Sequence, residues 1–167
     1  MIMRKYGRRN LKPSPDITMA LKYDYSIIKW IRKQTKLPII PKGVVYYKDS
    51  LQLMDLGVDA IWLSNHGGRM FNSGISGVEI LKDHKRHIKT KIPYIVDGGI
   101  RRGSDILKYI SLGADMVGIG RPVLYGLIAN GKKGVNSIIN IFHEELKVSM
   151  TNGGFKTISD IKKAKLR

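Results

Sequence analysis

A histidine and an arginine with two glycines between them form the most informative feature of the sequence, the segment SNHGGR at 64–69. The imidazole of His66 can act as a base, and the guanidinium of Arg69 is a fixed cation that suits a carboxylate. The two glycines let the chain fold back, so that both side chains can reach one pocket. This spacing predicts a functional site rather than an ordinary surface loop.

Two further segments combine glycine with arginine: DGGIRRG at 97–103 and GIGRP at 118–122. Glycine turns of this kind present backbone N–H groups to an anion, and arginine adds positive charge. Glycines alone could form simple turns. Two Gly-Arg loops at consecutive strand ends instead favour phosphate binding, and the residues predicted to form the phosphate site are Gly98, Gly99, Arg101, Gly120 and Arg121.

The polar segments follow short apolar runs, which alternate with amphipathic stretches as expected for parallel βα units. Strands are predicted at 37–41, 60–63, 94–96 and 116–119, and helices at 25–34, 49–56, 78–87, 104–112 and 135–150. The polar residues thus come at strand ends, where the active site of a (β/α) barrel lies.

Several other polar or glycine residues are interpreted as structural. Gly57 and Gly113 are expected to end helices in the left-handed conformation, and Ser104 with Asp105 to open one. The remaining residues in this class are Asp55, Asp59, Asp115, His84, His87 and His143.

The blocks SNHGGR, DGGIRRG and GIGRP, with PKGV at 41–44 upstream, resemble in order and spacing the FMN-dependent α-hydroxy-acid oxidases and dehydrogenases, the family of glycolate oxidase, lactate oxidase and flavocytochrome b2. The resemblance implies an α/β fold of the (β/α)8 TIM-barrel family. It covers only the C-terminal half of the catalytic domain, about four βα units equivalent to strands five to eight. We therefore predict a basic irregular leader at 1–22 and a C-terminal half barrel at 23–167.

The resemblance also implies FMN as the cofactor and oxidation of a small (S)-2-hydroxy acid to the 2-oxo acid. His66 would take a proton from the substrate, Arg69 would hold its carboxylate, and Lys42 would lie beside the flavin N1 and O2 atoms. No metal ligand is predicted. The other FMN contacts implied by the resemblance are Ser64, Asp97, Gly98, Gly99, Ile100, Arg101, Gly120 and Arg121.

The sequence departs from the family pattern in two places. Pro41 would remove a hydrogen-bond donor from a central strand, so Lys42 is expected to be displaced. The segment MFNS at 70–73 stands where the family has an apolar residue followed by aspartate. The family's strands one to four, with their substrate and flavin contacts, are not located in this sequence, and Arg102 receives no role.

The composition sets limits on the fold and the compartment. A chain of 167 residues suits one domain, whereas a complete barrel needs roughly 250 residues. The absence of cysteine excludes a disulfide framework and thiolate metal sites. The sequence contains no apolar run of membrane-helix length, and 1–11 lacks the apolar core of a secretory signal, so a cytoplasmic or organelle-matrix protein that is not secreted is expected.

The formal net charge of +17 is compatible with a nucleic-acid partner, but its lysines and arginines are spread over predicted helix faces and no nucleic-acid motif is present. Alternatives to an oxidoreductase remain: an inactive fragment, another FMN- or phosphate-binding barrel half, or a non-catalytic basic nucleic-acid binder. The SNHGGR block argues against other phosphate barrels. Two open sheet edges also predict self-association or pairing with a complementary N-terminal half.

Overall fold

The computed structural model describes residues 24–69 and 74–164. The predicted leader at 1–22 and the departure at 70–73 lie outside these described residues. The elements in chain order are α1 Ser26–Gln34, β1 Lys42–Val44, α2 Tyr47–Asp55, β2 Ile61–Leu63, a single 3₁₀ turn His66–Gly68, α3 Gly77–His87, β3 Tyr94–Asp97, α4 Gly103–Ser111, β4 Met116–Gly118, α5 Arg121–Asn152 and α6 Ile158–Lys163.

The strands form one parallel sheet in the order β1-β2-β3-β4. Each strand is followed by a helix, so the predicted alternation of βα units is confirmed. The central register places Trp62 opposite Ile95, and Ile95 opposite Met116. Parallel pairing brings the ends of the strands to the same edge of the sheet, and the segments that follow β2, β3 and β4 carry the predicted site residues.

The first strand is displaced from its predicted position at 37–41. The carbonyl of Pro41 accepts a hydrogen bond from the Trp62 N–H at 2.9 Å, and β1 begins at the next residue, Lys42. The missing N–H of the proline therefore lies just before the strand. Lys42 pairs with Trp62, and the register of β1 against β2 shifts between Lys42 and Val44, so the expected displacement of Lys42 stays a prediction.

Alternation along β2 separates the two faces of the sheet. Ile61 and Leu63 are fully buried in one apolar cluster with Ile80 and Leu81 of α3. Each such side chain contributes about 1.5–3 kcal/mol to folding when buried. Trp62 projects from the opposite face, away from this helix layer.

The last long helix begins earlier than predicted. α5 runs from Arg121 and is broken at Asn130 and Gly131, where the backbone leaves helical φ/ψ values. The backbones of Gly126 and Gly134 pack together so closely that neither has room for a Cβ atom. The expected helix at 135–150 corresponds to the part after this break, and the glycines obscure the helical pattern before it.

Hydrogen bonds at the end of the sheet opposite the site confirm structural roles for two aspartates. Asp59 accepts the Ile39 N–H at 2.7 Å and the Arg32 guanidinium at 2.6 Å. Asp115 accepts the Tyr94 N–H at 2.9 Å. The helix-ending glycines also behave as predicted, with φ of 75° at Gly57 and 99° at Gly113.

The structure gives Arg102 a role that the sequence did not. Its guanidinium lies 3.1 Å from Oε1 of Glu145 on α5, and the same carboxylate accepts the Gly103 N–H at 2.8 Å. Glu145 therefore caps α4, which begins at Gly103 rather than at Ser104. This contact fixes α4 against α5.

Two basic residues near the end of the described chain belong to a helix. Lys162 and Lys163 belong to α6, and Nζ of Lys162 lies 2.7 Å from Oδ1 of Asp115. Residues 165–167 lie outside the described part of the chain.

Apolar side chains are exposed beside both outer strands of the sheet. Leu37, just before β1, is 70% exposed, and Ile128, in the first part of α5 after β4, is 82% exposed. Met116 of β4 itself is also exposed. Within the described residues, no helix combines the length and the apolar character that a membrane crossing requires.

Candidate functional site

Three of the predicted site residues, each from a different strand region, form one polar cluster. Nζ of Lys42 lies 3.1 Å from Oδ2 of Asp97 and donates to Oγ of Ser64 at 3.1 Å. Ser64 in turn donates to Oδ1 of Asp97 at 2.6 Å. The cluster therefore joins the β1, β2 and β3 regions on the face of the sheet away from the helix layer.

Trp62 completes this cluster and was missed by sequence reasoning. Its indole N–H donates to Oδ2 of Asp97 at 3.1 Å, and Nζ of Lys42 lies 5.1 Å from the centre of its ring. A Cβ atom on Gly118 would lie 3.1 Å from the same ring, so the absence of a side chain at Gly118 leaves room for the indole. Strand alternation was the available signal, because Trp62 stands between two core residues.

The charges in the cluster are partly shielded from water. The Asp97 side chain is 18% exposed and the Lys42 side chain 39% exposed. Desolvation of a carboxylate is costly unless its oxygens are hydrogen-bonded, and both oxygens of Asp97 accept hydrogen bonds here. The cluster presents a fixed cation and a hydrogen-bonded carboxylate side by side.

His66 follows the cluster and has an unusual backbone. Its φ of 55° is the one positive value at a non-glycine residue in the described chain. Such a conformation costs of order 1–3 kcal/mol, and residues of this kind cluster at functional sites. The His66 N–H donates to Oγ of Ser64 at 3.1 Å, and a Cβ on Gly43 would lie 2.7 Å from the imidazole Cε1. The exposed imidazole therefore lies directly over the β1 backbone.

Asn65 holds the turn that carries His66 and Arg69. Its side chain accepts the Gly68 N–H at 3.2 Å and donates to the Ile75 carbonyl at 2.8 Å. Arg69 comes directly after the turn and is exposed. The sequence motif contains Asn65, but its anchoring role depends on Ile75, ten residues away.

Arg121 links the His66 turn to the predicted phosphate loops. Its guanidinium donates to the Gly67 carbonyl at 3.0 Å. Arg121 is the first residue of α5, and Gly120 directly before it is exposed. The positive end of the helix dipole and the guanidinium thus lie together at this position.

The loop after β3 contains two consecutive residues with positive φ, Gly98 at 103° and Gly99 at 75°. Ile100, predicted to contact FMN, is 3% exposed and belongs to the apolar core, so its side chain is not available to a ligand. The Arg101 N–H is bonded to Asp105 at 2.9 Å, and the residue itself is exposed. Arg101 can therefore offer its side chain more readily than its backbone.

An open cleft of about 360 Å³ lies between the His66 turn, the Gly98–Gly99 loop and the start of α3. Gly67, Gly98, Gly99 and Arg121 line it, together with Lys108 of α4. One carboxylate, Asp105, also lines the cleft, but it lies 3.6 Å from Lys108 and accepts the Arg101 and Arg102 N–H groups. The Arg121 guanidinium and the glycine backbones therefore give the cleft the character of an anion site. In the described part of the chain, no group of histidine or acidic side chains is arranged to hold a metal ion.

His84 is a satisfied core histidine, as expected. Its Nε2 lies 2.9 Å from Oγ of Ser50 and its Nδ1 lies 2.8 Å from the Ile80 carbonyl. Since a carbonyl oxygen only accepts, Nδ1 carries the proton and Ser50 donates to Nε2. Burial lowers the pKa of His84 below its ordinary value and keeps the ring neutral. His84 is thus part of the α2–α3 packing and not of the site.

Comparison with known proteins identifies the family. Residues 8–167 match the family described as FMN-dependent dehydrogenase. The chain belongs to the FMN-dependent dehydrogenase family. An L-lactate oxidase of Lentilactobacillus hilgardii is 46% identical to it over 136 residues, which are 81% of this chain and 37% of that protein. A peroxisomal (S)-2-hydroxyacid oxidase of Arabidopsis thaliana is 39% identical over 145 residues, 87% of this chain and 40% of that protein.

Solved structures of this family share the fold. A lactate oxidase of Pediococcus acidilactici superposes with a TM-score of 0.82 at 40% identity, over 86% of this chain and 40% of that one. The prediction of a partial TIM barrel is therefore confirmed. This chain spans about two-fifths of the length of the curated relatives that it matches.

Proposed function

We propose that this chain supplies the phosphate-binding end of an FMN site, the catalytic base and the substrate carboxylate anchor for oxidation of a small (S)-2-hydroxy acid to the 2-oxo acid. One observation carries the proposal. The Ser64 hydroxyl bonds to Asp97, which would face the cofactor, and accepts the N–H of His66, which would face the substrate. A single buried side chain thus connects the two functions.

The donor set fits the phosphate and ribityl portions of FMN. Gly98 and Gly99 have positive φ values and no side chains, so the backbone can closely approach an anion, and Arg121 and Arg101 bring positive charge to the same end of the sheet. Asp97 has acceptor oxygens for hydroxyl groups. Lys42 holds its ammonium group next to Asp97 and would supply positive charge to the flavin.

In this proposal each residue acts on a defined part of the reactants. His66 accepts the proton of the substrate hydroxyl, and Arg69 binds the substrate carboxylate through its two-pronged guanidinium. Lys42 would stabilise negative charge on the flavin by electrostatic attraction. FMN, when bound, would take up the α-hydrogen of the hydroxy acid together with the two electrons of its C–H bond.

A complementary barrel half is proposed as the partner that completes this site. Both outer strands, β1 and β4, lack a strand neighbour among the described residues, and apolar side chains are exposed beside each of them. An unpaired strand edge with apolar neighbours is a docking template for further strands. The complementary half would supply the remaining walls around the flavin and the substrate.

The test combines this chain with the first half of the barrel from a homologous enzyme, by co-expression. After FMN is added, (S)-lactate and glycolate are mixed anaerobically with the complex, and bleaching of the flavin absorbance is followed. Bleaching by either (S)-hydroxy acid, and none by the (R)-enantiomer of lactate, supports the proposal. A complex that binds FMN but is bleached by neither acid would contradict it.

A further inference from the structure

A buried tyrosine holds the glycine loop that follows β3. Tyr109 of α4 is 4% exposed, and its hydroxyl donates to the Gly98 carbonyl at 2.7 Å. Burial raises the pKa of Tyr109 to about 12, so the phenol remains a hydrogen-bond donor throughout the neutral range. No motif in the sequence pointed to this residue.

The orientation of the Gly98–Gly99 peptide follows from this hydrogen bond. The carbonyl and the N–H of a trans peptide point in opposite directions, and the described chain contains no cis peptide. Since the Gly98 carbonyl points toward Tyr109, the Gly99 N–H points away from it, toward the exposed side of the loop. An anion bound there would meet a donor and not a carbonyl oxygen.

The first residue of α3 leaves the space that Tyr109 needs. A Cβ atom on Gly77 would lie 2.6 Å from the Tyr109 hydroxyl oxygen and 2.5 Å from the Asp97 carbonyl oxygen. Any side chain at this position would therefore push against the phenol. The position of the Tyr109 hydroxyl at the end of β3 therefore depends on glycine at position 77.

We infer that Tyr109 is a positioning residue for the cofactor phosphate: by holding the Gly98 carbonyl, it keeps the Gly99 N–H available to the anion. The inference rests on the proposed function, because it assigns the phosphate of FMN to this loop. Tyr109 also lines the cleft, but in this inference it acts on the anion through the Gly98–Gly99 peptide. Its effect should be confined to ligands that carry the phosphate group.

Riboflavin, which is FMN without the phosphate, makes the inference testable. Both flavins are titrated into the full 167-residue chain, and binding is followed by flavin fluorescence. Tyr109→Phe removes only the hydroxyl and should lower the preference for FMN over riboflavin about three- to tenfold, with riboflavin affinity unchanged. Tyr94→Phe is the matched control, because the Tyr94 hydroxyl is buried without a hydrogen-bond partner in the described residues. This variant should retain the preference of the unmodified chain.

Arg121→Ala separates failure of the inference from failure of the proposed function. If Arg121→Ala lowers the preference for FMN and Tyr109→Phe does not, the role of Tyr109 is wrong while the phosphate site stands. An equal loss of FMN and riboflavin affinity in Tyr109→Phe also overturns the inference, since it would show a general structural effect. If the unmodified chain has no preference for FMN, the phosphate site and the inference both fail.

Discussion

Nζ of Lys42 lies 3.1 Å from Oδ2 of Asp97, although β2 separates the two strands to which these residues belong. The ion pair therefore crosses the face of the sheet, and Ser64 and Trp62 from the middle of the chain fill the space between. This half of the barrel assembles its polar cluster from its own residues.

Removal of the Lys42 charge should destabilise the chain. Lys42→Met leaves Asp97 without its cation, and we expect the free energy of unfolding to fall by about 1–2 kcal/mol, less than for a fully buried pair because Lys42 is partly screened by water. Urea denaturation measures the change. Lys89→Met, at an exposed lysine after α3, is the control and should leave the stability unchanged.

Removal of Arg121 should weaken FMN binding. A charge-assisted hydrogen bond contributes about 1.5–3 kcal/mol, so Arg121→Ala should lower FMN affinity by about ten- to a hundredfold. Calorimetric titration measures the affinity in a complex with a homologous first half. Arg86→Ala, at an exposed arginine near the end of α3, should have no effect. Unchanged affinity in Arg121→Ala would remove this residue from the site.

The motifs predicted much of the cluster, because short glycine-rich blocks after buried strands have few structural explanations. Lys42, Ser64 and Asp97 were each marked by such a block, and the structure brings them within hydrogen-bonding distance. The parallel order of the strands was equally clear from the alternation of apolar and amphipathic stretches. These features depend on local sequence.

Features that depend on distant contacts were missed. In the sequence Tyr109 is an ordinary helix residue, and only the structure shows that its hydroxyl donates to the Gly98 carbonyl. Arg102 has a role only through its ion pair with Glu145 on another helix. The first strand was placed too early because residues before Pro41 are apolar, whereas hydrogen bonding to β2 defines the strand. The role of Tyr109, the role of Arg102 and the position of β1 all depend on contacts with residues that are distant in the sequence.

The exposed sheet edges predict self-association of the chain alone. Apolar side chains beside β1 and β4 would be buried by a second copy, and light scattering should show species larger than a monomer. Met116→Lys, in the edge strand β4 itself, should reduce the association. Leu51→Lys, at an exposed position of α2, whose flanking strands β1 and β2 pair with each other, should not reduce it. A compact monomer at all concentrations would contradict the prediction.

Stability should depend on pH through His84. Its pKa is lowered by burial in the folded state, so the unfolded chain binds the proton more readily. The free energy of unfolding should be highest above about pH 6.5, the ordinary histidine pKa, and should fall as the pH drops from there through the lower pKa of the folded state.

Chemical denaturation at several pH values measures this slope. His84→Gln should flatten it, because glutamine does not titrate. Tyr94→Phe is the buried control and should keep the slope, since the pKa of Tyr94 is raised to about 12 and lies outside this range. An unchanged slope in His84→Gln would show that other groups cause the pH dependence.

The most direct test of the account is the turnover of His66→Gln in a complex of this chain with a homologous first half. Glutamine retains a similar size and hydrogen bonding but cannot act as a base, so turnover of (S)-lactate or glycolate should fall by about 10²–10⁴-fold while FMN remains bound. His143→Gln, at an exposed histidine of α5, should retain full turnover. A His66→Gln complex that binds FMN and turns over substrate at the unmodified rate would contradict the central claim that this chain supplies the catalytic base.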